Sequence, residues 1–263
     1  MTFINETISS LIIAIVQGLS EWFPISSSGH IVLFENLLNY NGGLVFNVAL
    51  HFGTLLAVIV YFYKDLGKII SDFFTGRFDE KKGEQGKIVF LLIIATIPAA
   101  IAGLFFKQYF TFVSSLGIVT LSFSVTGIFL LIASFSKNRH KGKEISYLVA
   151  FIIGLSQVFA LFPGISRSGV TICSGLLLGL KEKQAMKFSF LMSIPIILGA
   201  NLLEFKHVFQ VSMILPILVS FIVGLIAIHL LYTRILTNKR NLGYFALYVL
   251  VLAVILALFL LFR

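Results

Sequence analysis

Charge and cysteine are what this chain of 263 residues has least of. Aspartate and glutamate number 11 against 20 lysines and arginines, and the four types together make up 12% of the sequence. One cysteine, Cys173, excludes an internal disulfide and every paired-cysteine motif. No G-x-x-x-x-G-K-[ST] segment occurs, which argues against a nucleotide-driven pump, and H-E-x-x-H is missing as well. The N-terminal "MTFINETISSLIIAIVQG" has no basic start and no A-x-A-like site, so no removable signal peptide is expected there. Neither a soluble domain nor a low-complexity tail stands out; the longest polar interval, Lys64 to Lys87, is a loop.

Apolar residues fill the rest. The chain is 58% hydrophobic and holds 28 phenylalanines, more apolar surface than a soluble fold of this size can hide. The expectation is an all-α polytopic membrane protein, a single integral membrane domain over 1–263. The +9 net charge then records which loops face the cytoplasm, with the bilayer as partner and no nucleic acid.

Six stretches can span: 44–63, 88–106, 113–135, roughly 186–204, 211–232 and 243–262. Four shorter apolar pieces remain near 8–19, 31–40, 145–162 and 169–180, flanking Pro24 and Pro163. Paired about those breaks they read as two re-entrant helical hairpins, irregular backbone that survives at depth only against protein or a wet cavity. Sixteen of the 20 basic residues fall in 64–87, 136–144, 181–187 and 233–241. With those intervals inside, the first hairpin opens outward, the second opens inward and the C-terminus is outside. Each half, about 1–135 and about 136–263, is a hairpin plus three spans. An odd number of crossings turns the second half upside down. Inverted repeats of this kind place binding sites where the broken helices meet. "FPISSSGH" beside "FPGISRSGVT" echoes the repeat, the two copies some 140 residues apart.

Lys107, Lys206 and Arg263 sit at other span ends, which leaves one basic residue inside the membrane: Arg167, in "PGISRSGVT". A buried arginine needs a partner and cannot shed its proton. Glu21, in the other hairpin, is the expected one. The pair could simply lock the hairpins together; an intramembrane ionisable residue more often marks a functional site. Ser166, Ser168 and Gly169 precede one short apolar helix, and Ser26, Ser27, Ser28 and Gly29 precede the other. Helix N-termini offer free N–H groups and partial positive charge, and the guanidinium fork suits phosphate oxygens. Serines also cap helices and ease their packing, which for any one of them is the simpler account.

His30 follows Ser27 by three residues, within reach of a shared reacting group, and imidazole moves protons near neutral pH. His51 and His229 read instead as satisfied hydrogen-bonding residues. Gln17 precedes Glu21 by one helical turn, so both can face one pocket. Glu21 could hold a divalent cation or act as a base. Too few carboxylates lie near for an all-protein cage, but Mg²⁺ bridging protein to phosphate needs only one or two.

"QGLSEWFPISSSGH" (17–30) together with "PGISRSGVT" (163–171) resembles the bacterial undecaprenyl-diphosphate phosphatase family, associated with bacitracin resistance. Both motifs are matched in order, and length and hydropathy fit over the whole chain. The resemblance implies a plasma-membrane hydrolase that converts undecaprenyl diphosphate, a polyprenyl diphosphate lipid, to the monophosphate carrier and inorganic phosphate, recycling the carrier for cell-wall synthesis. Carried over, the functional positions are Glu21, Ser27, His30 and Arg167, with Gln17 and Ser26 as secondary members. Ser28, Gly29, Ser166, Ser168, Gly169 and Thr171 complete the expected phosphate-binding set. The family suggests Mg²⁺ or Ca²⁺ dependence; some members have Glu at the position of Gln17, so two carboxylates on the cation are less well supported here. In the expected mechanism Arg167 and the tip N–H groups hold the diphosphate. Ser27 or a water attacks, His30 handles the proton, and Glu21 orients a metal or His30. A carrier that flips polyprenyl phosphate would share the architecture and is the competing class. A homodimer is compatible with the sequence.

Overall fold

A backbone crossing hydrocarbon must satisfy its own N–H and C=O groups, and the sequence answers with helices throughout. The computed structural model describes residues 2–79, 82–111, 115–136, 144–203 and 211–262. The first half contains α1 (Thr2–Ser20), α2 (Ser27–Leu37), α3 (Gly43–Tyr61), α4 (Tyr63–Phe74), α5 (Lys87–Thr111) and α6 (Leu116–Phe135). The second contains α7 (Tyr147–Gln157), α8 (Arg167–Leu177), α9 (Glu182–Leu203), α10 (Val211–Leu230) and α11 (Leu242–Leu261). There is no strand among the described residues.

Six segments are long and apolar enough to cross a membrane: Gly43–Tyr61, Lys87–Phe105, Leu116–Phe135, Glu182–Leu202, Val211–Ile235 and Lys239–Leu261. They coincide with the six expected stretches to within a few residues. The four shorter apolar pieces fall in α1, α2, α7 and α8, each pair interrupted around its proline, but α1 starts at Thr2 and at 19 residues is as long as α3. The other three prolines, Pro98, Pro195 and Pro216, lie inside α5, α9 and α10. Proline is tolerated there because neighbouring helices cover the freed backbone groups. Lys81, Lys137, Arg139, Lys141, Lys143, Lys206 and Arg263 lie outside the described residues, as does the Lys107 side chain.

Packing partners exchange between the halves. Helix α1 lies on α10, the second long helix of the other half, and α7 lies on α5, the second long helix of the first half. The third long helices, α6 and α11, pack on each other, as do the first, α3 and α9. Small residues make these approaches close. A Cβ on Gly53 would sit 2.5 Å from Ile217 O, and one on Gly18 would sit 2.9 Å from Ser220 O. Ser220 Oγ in turn donates to Leu50 O at 2.8 Å. With lipid on the outside, such backbone proximity and interhelical hydrogen bonds hold the bundle in place of a hydrophobic driving force.

The basic segments meet at one end. Lys187, near the start of α9, is ion-paired with Asp65 of α4. Lys239 donates to Ser136 O, and Tyr232 stacks edge-on against Phe62 with ring centroids 5.5 Å apart. The basic intervals thus join in pairs, 64–87 with 181–187 and 136–144 with 233–241, and the ring contact lies beside them.

Candidate active site

The two breaks, residues 21–26 and 162–166, face each other. Each ends in a serine that caps the following helix: Ser26 Oγ accepts from Gly29 N at 3.3 Å, and Ser166 Oγ accepts from Gly169 N at 3.0 Å. Each then touches the other tip. Ser28 Oγ accepts from Gly164 N at 3.4 Å, and Ser168 Oγ donates to Phe23 O at 3.2 Å. Thr126 of α6 braces the second tip, donating to Gly164 O at 2.9 Å and accepting from Ser166 N at 3.1 Å. Gly164 has φ +94°, and a Cβ there would meet Ser122 Cβ at 2.6 Å, so neither backbone nor space admits a side chain.

This meeting aligns Arg167, the first residue of α8, with Glu21. Arg167 Nη2 is ion-paired with Glu21 Oε1, its Nη1 donates to Ser189 O at 3.4 Å, and the guanidinium lies 5.9 Å from the Trp22 ring centroid. The other carboxylate oxygen is shared. Glu21 Oε2 accepts from Ser27 Oγ at 2.6 Å and from Gln17 Nε2 at 3.1 Å, and His51 Nε2 lies 3.8 Å away. Gln17 Nε2 also lies 3.0 Å from His51 Nδ1, which is 3.1 Å from Asn47 O as well, so Nδ1 is engaged inside the protein and Nε2 is the nitrogen that faces Glu21. Side chains from α1, α2, α3 and α8 therefore converge on one carboxylate, 6% exposed.

Glu21, Ser27, His51 and Arg167 line a cavity of about 550 Å³, with Gln17 buried behind them. Its polar end holds Glu21, Ser27, Ser28, Ser166, Arg167 and Ser168 of the expected set, together with His51. The rest of the wall is mostly apolar or small, with Ala99, Ala100, Gly103 and Leu104 of α5, Ala160 and Leu161 after α7, and Pro195 to Ile197 of α9, interrupted by Ser20, Thr96 and Gln157. Leu104 is 72% exposed, so the apolar arm reaches the face where lipid would be.

The other expected residues support the tips from outside the cavity. Ser26, Gly29 and Gly169 form the caps just described. Thr171 Oγ1 donates to Arg167 O at 2.8 Å and is 2.6 Å from Ser189 Oγ, fixing the first turn of α8. His30 is turned away: its Nδ1 is 2.7 Å from Ser26 O and its Nε2 is 2.9 Å from Tyr248 Oη. The imidazole that faces Glu21 belongs to His51, a residue whose sequence context suggests only ordinary hydrogen bonding. It does hydrogen-bond, but at the cavity wall. No sequence signal marks it, since it stands alone in an apolar span.

The donor set fits a phosphate-borne cation better than a resident one. Among the described residues no three His, Cys, Asp or Glu side chains cluster. Glu21 is the single carboxylate, and Gln17 Oε1 is buried with no hydrogen-bond partner. One carboxylate and one amide oxygen suffice for Mg²⁺ when substrate phosphates supply further ligands.

A pocket with an arginine–glutamate pair and several hydroxyls, opening into an apolar arm inside a bundle of membrane-length helices, marks a membrane protein with a site suited to an amphiphile. Comparison with known proteins narrows the class. A family model described as bacitracin resistance protein BacA matches residues 10–255, and the chain belongs to that family. The chain is 41% identical to an undecaprenyl-diphosphatase of Caldicellulosiruptor bescii over 98% of both chains. It is 40% identical to one from Thermosipho africanus over 93% of this chain and 97% of that one. For one from Methanococcus vannielii the identity is 38%, over 90% and 94%.

Proposed function

We propose that the chain hydrolyses undecaprenyl diphosphate to undecaprenyl phosphate and inorganic phosphate, recycling the lipid carrier for cell-wall synthesis and conferring bacitracin resistance. The convergence of Arg167 and Ser27 on Glu21 at the polar end of an amphiphilic cavity carries the reading. The names of the relatives favour hydrolysis over transport.

Phosphoryl transfer needs alignment and charge neutralisation more than covalent help from the protein. Arg167 has five N–H donors and commits two to Glu21 and Ser189, so three remain for phosphate oxygens. The capped N-termini of α2 and α8 add partial positive charge. Ser27 Oγ attacks the terminal phosphorus, its proton passing to Glu21, while the bond to the bridging oxygen breaks and undecaprenyl phosphate leaves. Water then hydrolyses the phosphoserine, releasing orthophosphate and returning the proton to Ser27. The two steps together consume one water. His51, with Nε2 3.8 Å from Glu21 Oε2, takes that proton on from Glu21 in the first step and returns it in the second. Mg²⁺ or Ca²⁺, held by Glu21 and Gln17 Oε1, would neutralise phosphate charge. The apolar arm takes the first isoprene units.

The protein is proposed to sit in the bacterial plasma membrane with its basic end in the cytoplasm, following the excess of Lys and Arg in inside loops. The exchange of packing partners between α1–α6 and α7–α11 supports an inverted repeat, whose hairpins enter from opposite faces with the site open outward.

Phosphate release from undecaprenyl diphosphate by the purified protein in detergent tests the reading. Wild type is expected to turn over and Arg167→Ala to lose at least ~10³-fold, the scale of a removed charge clamp. Equal rates in the two proteins would overturn the site, and no release by wild type would overturn the activity.

A further inference from the structure

His30 belongs to the first motif yet has no face on the cavity. Its ring is 3% exposed, and both nitrogens are engaged inside the protein. Ser26 O can only accept, so the hydrogen at 2.7 Å belongs to His30 Nδ1. The Nε2 lone pair then accepts from Tyr248 Oη at 2.9 Å. The two rings stack 12° from parallel, and Phe123 meets the imidazole edge-on with centroids 5.1 Å apart. A proton carrier needs a nitrogen that reaches the reacting group. Neither does.

What the ring holds is strained. Ser26 has φ +72°, a region costly to any residue with a Cβ. Its carbonyl receives two hydrogen bonds from one residue, the His30 ring and the His30 backbone N–H at 3.2 Å. The same carbonyl belongs to the peptide that leads into Ser27, so its orientation sets where Ser27 Oγ points. The 2.6 Å contact of that hydroxyl with Glu21 depends on it.

We propose that His30 and Tyr248 are positioning residues for the reaction. Tyr248, from α11, hydrogen-bonds Nε2 and holds the ring of His30 in place. His30 clamps the Ser26 carbonyl, and the clamp holds the Ser26–Ser27 peptide in the left-handed turn that aims the Ser27 hydroxyl. His30 transfers no proton to or from substrate. The inference rests on the phosphatase reading and assigns the last helix a part in it.

Steady-state phosphate release across pH separates positioning from proton transfer. His30→Asn keeps an N–H donor near the position of Nδ1 but cannot shuttle a proton; it is expected to stay within ~10-fold of wild-type kcat with an unchanged pH profile. His30→Leu, which loses the donor, is expected to fall by ~100-fold in kcat with little change in KM, as for a misaligned reacting group. Adding Ser26→Gly, which accepts φ +72° without strain, is expected to recover several-fold of that loss. Tyr248→Phe is expected to lower kcat by ~5-fold, about one hydrogen bond. If His30→Leu does not fold, His30→Asn and Tyr248→Phe still decide the matter. His30→Asn with under ~1% of wild-type kcat and a lost limb of the pH profile would overturn the positioning role. Unchanged kcat in Tyr248→Phe would overturn the part given to α11. Because wild type is measured alongside, failure of the hydrolytic reading shows as no turnover in any sample.

Discussion

Glu21 divides its carboxylate between two elements, one oxygen ion-paired to Arg167 of α8 and the other accepting the Ser27 hydroxyl of α2 at 2.6 Å. The arginine and the hydroxyl are thereby set on either side of one buried charge. A pair that only locked two helices together would not need the serine.

Removing one partner leaves the other charge buried. Glu21→Gln is expected to abolish turnover and to lower stability by roughly 3–5 kcal/mol, the cost of breaking a buried pair. Arg167→Lys keeps the charge but loses the planar fork, and is expected to retain less than ~1% activity. Thermal unfolding in detergent beside the kinetics checks both. Wild-type activity in Arg167→Lys would mean that charge alone suffices.

His51 stands at the cavity wall with Nε2 3.8 Å from Glu21. His51→Leu is expected to cut kcat by ~10²-fold or more, the usual scale of a lost acid–base group. His51→Gln keeps a hydrogen-bonding side chain that cannot relay a proton, so it should restore stability but not the rate. Recovery of both would make His51 a structural residue.

Gly164 admits no side chain by φ or by space. Gly164→Ala is expected to destabilise the protein by ~1–3 kcal/mol through strain and to move the second tip away from Ser28. Loss of activity larger than the stability loss explains would show that the two tips must meet. An unchanged protein would show that the tip is looser than its contacts imply.

The unpartnered oxygen of Gln17 gives the cation a test. Chelation is expected to reduce turnover, and Gln17→Glu to lower the cation concentration needed for half-maximal rate by offering a second carboxylate. Gln17→Leu should raise that concentration. A rate indifferent to chelator in all three would remove the cation from the account.

Much of this was legible in the sequence for a definite reason. Helix length in hydrocarbon is fixed by bilayer thickness, so the six spans follow from hydropathy alone. Arg167 and Glu21 could be paired because hardly any other charge was left unassigned in the apolar segments. The two histidines could not be sorted that way. His30 looked functional from its distance to Ser27 along the chain, but its ring folds back to Ser26 O under the pull of Tyr248, 218 residues further on. His51 looked ordinary because nothing at helical spacing around it is catalytic. Its partners, Gln17 and Glu21, come from α1 and the first tip, and only packing brings α3 beside them. Ser189 O and Thr126, which hold Arg167 and the second tip, are likewise tertiary and carry no sequence mark.

An experimental structure with a non-hydrolysable prenyl diphosphate bound tests the central claim most directly. The terminal phosphorus is expected about 3–3.5 Å from Ser27 Oγ, with Arg167 donating to its oxygens and the prenyl chain along α5 and α9. A head group bound elsewhere, with Arg167 turned wholly to Glu21 and Ser189, would contradict the account.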